Sequence, residues 1–165
     1  MDWLKHEPEG FKLVKFIMNA VFLKLIVAMS TLVIMSGLGV EITTVGNGSL
    51  KILSISLPFI VLIGVMIEEY IFRLMPLEFA LNRKFSIKQL SCVVLLVSAF
   101  FGYLHGGVEH VFIQGFGGIV LSVVFLKCGG MNKNYRKAYI CSTASHYSFN
   151  MILLVFAGIM GVEKF

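Results

Sequence analysis

The sequence predicts an all-α fold: a polytopic integral membrane helix bundle of about five transmembrane helices, N-terminus in and C-terminus out. Three observations carry that expectation. The 165 residues are 58% hydrophobic and 14% charged, with a mean hydropathy of +0.89, whereas a soluble domain is nearer half apolar and a quarter charged. The apolar residues come in long runs, and at ~20 residues per span plus short loops the chain holds about five. The basic residues fall mostly between those runs, where the positive-inside rule uses them.

The elements follow in order along a single membrane domain, 1–165. Residues 1–20 mix Trp3, Leu4, Phe11 and Phe16 with Lys5, Lys12 and Lys15. Pro8 interrupts any single helix there, so a cytosolic or interfacial segment is expected. The apolar run behind it is too long for the core of a cleavable signal peptide and reads as a signal anchor. The first span is expected over Val21–Val40, with Lys24 snorkelling to the headgroups. Gly37, Gly39, Gly46, Asn47 and Gly48 mark a loop.

A second apolar run begins near Ile52 and ends in Glu68-Glu69-Tyr70-Ile71-Phe72-Arg73. Leu74 to Leu81 is apolar again apart from Pro76 and Glu78. The third span covers Ile87–Leu104 and ends at His105-Gly106-Gly107. The fourth covers Val108–Leu126, where Gly115, Gly117 and Gly118 suit close helix approach. The fifth covers Ala138–Met160 and carries His146 and Asn150. This topology puts 12 of the 14 Lys and Arg on one side, leaving Lys51 and Lys164 on the other. That bias sets the N-in, C-out orientation.

Several classes are set aside. The net charge of +5 is not gathered on a soluble face, so no nucleic acid is expected as a partner. Cys92, Cys128 and Cys141 form no Cys-x-x-Cys pair, so neither a disulfide framework nor a zinc–cysteine site is implied, and core packing is expected of them. His110 reads as a satisfied packing residue and Glu109 as a solvated loop charge.

Charge inside an apolar segment is expensive unless paired or used. Adjacent helical residues point about 100° apart, so Glu68 and Glu69 cannot share one role. Glu69 and Arg73 stand at i, i+4 in the favourable order for an ion pair. Glu68 is left without an ionic partner on its own helix. Phe101 and His105 are also at i, i+4, as are His146 and Asn150, so each pair presents to one side of its helix. A buried carboxylate, two imidazoles and a carboxamide are the parts for water-mediated acyl chemistry: a base, a proton shuttle and donors for an oxyanion.

The ordered set Glu68-Glu69-x-x-x-Arg73, Phe101-x-x-x-His105 and His146-x-x-x-Asn150 resembles the CPBP family. These are intramembrane proteases related to the CAAX prenyl endopeptidase and to bacteriocin self-immunity (Abi) proteins. The resemblance covers a core of about 58–158. It implies that Glu68 and His105 activate a water, that His146 and Asn150 form the oxyanion hole, and that Glu69 and Arg73 support the site. Phe101 is expected to pack beside it. Leu74 stands where the family often has glycine. Family members are commonly longer, so a shielding helix is either absent here or supplied by a partner subunit or second copy.

The function expected is an intramembrane endopeptidase acting on a membrane-associated peptide or membrane-protein segment, in a bacterial cell membrane. The resemblance favours a glutamate mechanism without cofactor or metal. A zinc-dependent variant using Glu68, His105 and His146 is the alternative within that class. A non-catalytic immunity or binding scaffold is the alternative outside it. A proton-linked transporter is disfavoured, because no repeat halves are present.

Depth poses a problem. Simple span counting puts Glu68 near the cytosolic end of the second span and His105 about 25 Å up the third. The two meet only if the second helix runs past Arg73 through Leu81, kinked at Pro76, with Arg73 buried.

Overall fold

The computed structural model describes residues 2–37 and 57–159, and all their regular structure is helical. A short helix α1 (Asp2–Lys5) is separated by Pro8 from α2 (Gly10–Gly37). The chain resumes in α3 (Leu57–Glu69), a π-helical turn (Tyr70–Leu74) and α4 (Met75–Asn82), which run on without interruption. Then come α5 (Ile87–Leu104), α6 (Val108–Lys127), a 3₁₀ turn (Gly130–Asn132) and α7 (Tyr135–Ile159). Three of these are long and apolar enough to cross a membrane: α2 over Gly10–Thr31, α5 and α6. The composite helix 57–82 and α7 are the segments expected as second and fifth spans, and they carry the buried polar residues.

The π-turn has a local cause. Pro76 has no N–H and its ring would collide with the carbonyl four residues back. Widening the preceding turn relieves this, and the Met75 N–H bonds back to the Tyr70 carbonyl instead. The helix therefore passes Pro76 without breaking. It ends where Arg83, Lys84 and Phe85 fold back onto Phe79, Leu81 and Ala80 carbonyls. Ser86 then starts α5 with a reciprocal capping box: its Oγ accepts from the Gln89 N–H and the Gln89 side chain accepts from the Ser86 N–H at 2.8 Å.

The turn to α6 needs glycine. Gly106 lies at φ +155°, and a Cβ there would stand 2.5 Å from the His110 ring. Helices α5 and α6 then pack backbone to backbone. A Cβ on Gly102 would meet the His110 carbonyl at 2.6 Å, and one on Gly115 the Ser98 carbonyl at 3.1 Å.

One end of the bundle gathers the basic connections. The Lys127 ammonium donates to the Trp3 carbonyl and lies over the Trp3 ring. Asn132 donates to the Lys5 carbonyl and to Glu7, and Lys137 pairs with Glu7 at 2.6 Å. Tyr135 on the α6–α7 side donates to Asn82 at the end of α4. The tail and both basic loops thus sit together.

Four expectations need correction. The first helix starts at Gly10 rather than Val21, so Phe11 to Ala20 belong to it and not to an interfacial tail. Lys24 does not snorkel: it is 4% exposed, enclosed between α6 and α7. Snorkelling lowers the cost of a membrane lysine only at a helix end, and fourteen residues of α2 precede this one. Cys92 is exposed in the second turn of α5 rather than packed in the core, while Cys128 and Cys141 are buried as expected. The glycines near 115–118 do more than bring helices together, since two of them make room for charged side chains. The start of the second apolar run at Ile52, the loop from Gly39 to Gly48, Lys51 and Lys164 lie outside the described residues.

Candidate active site

Glu68 and Glu69 close α3, and Arg73 lies in the π-turn that follows. His105 caps the end of α5, and His146 lies midway along α7. From the loop at 83–86, the chain rises about 20 Å back to Glu68 and about 27 Å up to His105 at ~1.5 Å per residue. The unbroken composite helix is what brings the two to matching depth. Arg73 is 1% exposed, as that geometry requires.

Glu68 faces both imidazoles. Its Oε1 lies 3.8 Å from His105 Nε2 and its Oε2 lies 3.7 Å from His146 Nε2. Both separations exceed a direct hydrogen bond and suit one bridged by water. Glu68 is one-third exposed and His105 nearly so, while His146 is buried. The site is therefore reached from the surface on the Glu68–His105 side.

The far nitrogens fix the tautomers. His105 Nδ1 is 2.7 Å from the Phe101 carbonyl, which can only accept, so Nδ1 carries the proton. In the neutral ring Nε2 then turns a lone pair toward Glu68. His146 Nδ1 is 2.9 Å from Glu69 Oε1. With Glu69 ionised beside Arg73, Nδ1–H donates there too, and His146 Nε2 faces Glu68 in the same way.

Glu69 is fully buried and holds two partners: His146, and the Arg73 guanidinium at 3.4 Å. The pairing with Arg73 is legible from i, i+4 spacing. The bond to His146, 77 residues along the chain, is not. Phe101 lies at the centre. Its ring is 4.2 Å from the His105 ring and 5.9 Å from that of His146, with the Arg73 guanidinium 4.3 Å above it. It packs as expected, and its carbonyl also orients His105. Gly118 leaves the space Arg73 occupies, since a Cβ there would lie 3.1 Å from an Arg73 nitrogen.

Asn150 stands one turn beyond His146 on α7 and is half-buried. It makes no hydrogen bond with the described residues. His110 packs against Gly106 at the α5–α6 turn. Among the described residues no group of three His, Cys, Asp or Glu side chains is arranged to hold a metal ion. Sequence reasoning missed Lys24 as part of this neighbourhood. Its signal was a lysine inside an apolar run together with adjacent glycines, Gly117 and Gly118, on a facing helix.

Fold and site together define a membrane-embedded helix bundle built around a carboxylate facing two imidazoles. The chain belongs to the Rce1-like type II CAAX prenyl endopeptidase family, whose profile matches residues 50–152. That match takes in Glu68, Glu69, Arg73, Phe101, His105, His146 and Asn150, and begins after α2. No curated protein and no solved structure matches the chain.

Proposed function

We propose that the protein is an intramembrane endopeptidase of the glutamate type, in which Glu68 and His105 activate water and His146 and Asn150 stabilise the oxyanion. The observation that carries this reading is the convergence of Glu68, His105 and His146 from three helices, with both Nε2 atoms 3.7–3.8 Å from one carboxylate. Family membership supports proteolysis in general.

In this mechanism a water between Glu68 and His105 gives a proton to Glu68 as its oxygen attacks the peptide carbonyl carbon. The new C–O bond makes a tetrahedral oxyanion, met by Asn150 and His146. The proton taken by Glu68 passes on to His146 Nε2, 3.7 Å from Glu68 Oε2, and His146 donates to the oxyanion as the imidazolium so formed, because its Nδ1–H is committed to Glu69. The carboxylate of Glu69 behind the ring favours that cation as negative charge develops in front. Glu69 thus has a role besides holding Arg73. The C–N bond then breaks, and the same proton returns from His146 through Glu68 to the leaving amine.

The substrate class is a peptide or membrane-protein segment presented at the bilayer. The basic end faces the cytosol of a bacterial cell membrane, following the positive-inside rule. Reconstituted protein with a set of membrane-associated peptides tests the reading. Glu68→Gln and His105→Ala should insert, keep their thermal transitions and lose turnover. Asn150→Ala should retain about 10⁻² to 10⁻³ of kcat. Full cleavage by Glu68→Gln would sink the assignment. Stoichiometric zinc whose removal abolishes activity would favour the zinc-dependent variant instead.

A further inference from the structure

A groove of about 430 Å³ runs between α2 and α6. Phe16, Asn19, Ala20 and Leu23 form one wall, and α6 forms the other from Phe116 to Val124. Both walls belong to helices long and apolar enough to cross a membrane. At ~1.5 Å per residue the α6 wall is about 12 Å long. Trp3 of α1 closes the end at Phe16, edge to face with that ring at 6.3 Å. Trp3, Asn19 and Leu23 are exposed, so the groove opens to its surroundings along its length. None of its residues belongs to the candidate active site, and its α2 wall lies outside the residues the family profile matches.

Both walls run into lysine at the same end. On α2 the lining stripe continues back through Lys15 and Lys12, which share its face at helical spacing and are exposed. On α6 it continues to Lys127, whose ammonium donates to the Trp3 carbonyl and lies over the Trp3 ring. Among the described residues neither Lys12 nor Lys15 forms an ion pair, and Glu7 is taken by Lys137. Against Glu9, just before α2, the lysines leave this mouth net positive. Apolar walls at bilayer depth, with an indole and unpaired ammonium groups at headgroup level, match the two parts of one lipid: hydrocarbon within and an anion at the mouth.

We propose that the α2–α6 groove holds one anionic phospholipid, with an acyl chain laid along Phe16, Ala20 and Val123 and its phosphate held by Lys12 and Lys15. The chain gives the apolar walls the dispersion contacts they lack toward one another. The net negative headgroup answers the two lysines, whereas the choline of a zwitterionic lipid would set another cation beside them. The bound lipid fastens α1 and α2 to the part of the chain that carries the site. The orientation in the bilayer is the one proposed above; the protease reading plays no part.

Trp3 is the only tryptophan of the chain, so its fluorescence reports the groove directly. The full chain is placed in phosphatidylcholine nanodiscs carrying either dibrominated phosphatidylglycerol or dibrominated phosphatidylcholine, because bromine on an acyl chain quenches an indole that it touches. Half-maximal quenching should come at a mole fraction about tenfold or more lower for the phosphatidylglycerol. A lysine near the surface contributes about fivefold. Lys12→Gln and Lys15→Gln should therefore each weaken the preference about fivefold, and the double variant should bring the two lipids nearly level.

Val123→Phe fills the groove and keeps both lysines. It should abolish the preference as well, which attraction to an open charged surface would not do. Should Val123→Phe fail to fold, Asn19→Phe fills the groove from an exposed position on α2. Equal quenching by the two lipids in the wild type would leave only ordinary boundary lipid there and overturn the proposal. An undiminished preference in the filled variant would also overturn it, as headgroup binding without a chain site. Trp3 shielded from both brominated lipids would mean that a peptide or a second copy of the chain covers the groove, and the proposal would fall in that case too.

Discussion

The basic end of the bundle and its polar middle satisfy charge in different ways. At the end, contacts are short and direct: Glu7 to Lys137 at 2.6 Å and Asn132 to Glu7 at 2.8 Å. In the middle they lengthen, to 3.4 Å for Glu69–Arg73 and 3.7–3.8 Å for Glu68 to the two imidazoles. Glu69 Oε2 and the three guanidinium nitrogens of Arg73 have no hydrogen bond there. Water can complete partners at the end, so those pairs contribute little and cost little to lose. In the apolar middle each unmet donor or acceptor is expensive. Incomplete satisfaction persists where a site is held ready for a ligand or a proton.

The largest expected effect breaks the middle. Arg73→Met leaves Glu69 buried with a single partner and removes the cation from the Phe101 ring. Loss of one member of a buried pair costs about 3–5 kcal/mol, to be read from denaturant or thermal unfolding in lipid. A loss below about 1 kcal/mol would place Arg73 with the weak surface pairs and erase the contrast.

An intermediate effect tests the space rather than the charge. A Cβ on Gly118 would meet Arg73 at 3.1 Å and the Ser98 side chain at 3.0 Å, while one on Gly64 meets nothing within 4 Å. Gly118→Ala should destabilise by about 1–3 kcal/mol through overpacking and reduce turnover by displacing Arg73. Gly64→Ala, in an open helical position, should instead stabilise by about 0.5–1 kcal/mol. Equal melting shifts for the two would mean that Gly118 is not a fitted slot.

These sites differ also in how far the sequence discloses them. Within one helix, spacing is geometry: Glu69–Arg73, Phe101–His105 and His146–Asn150 follow from the helical repeat, and so does the isolation of Glu68. The depth mismatch between Glu68 and His105 requires the helix to continue past Arg73, and it does. Contacts between helices depend on rotation and tilt, which a period does not encode. The Glu69–His146 bond, the Gly118 slot and the burial of Lys24 all belong to that class. The π-turn at Tyr70–Leu74 falls between, because Pro76 signals a disturbance without saying whether the helix kinks, breaks or widens.

The smallest effect belongs to the basic end and carries a pH signature. The Lys137 ammonium, with help from Asn132, holds the Glu7 carboxyl below its ordinary value of 4.5. A group whose folded pKa is depressed adds stability that is present above the unfolded pKa and lost as pH falls through the folded one. The Glu7–Lys137 contribution should therefore be constant down to about pH 5 and fade below the ordinary glutamate value. Both partners keep some exposure, so screening limits it to about 1 kcal/mol or less. Melting of wild type and Glu7→Gln should differ by that small amount at pH 6 and converge near pH 3, with the gap narrowing in high salt. A gap that persists at pH 3, or one of several kcal/mol at pH 6, would show that the tail docks by desolvated charge, as the middle of the bundle does.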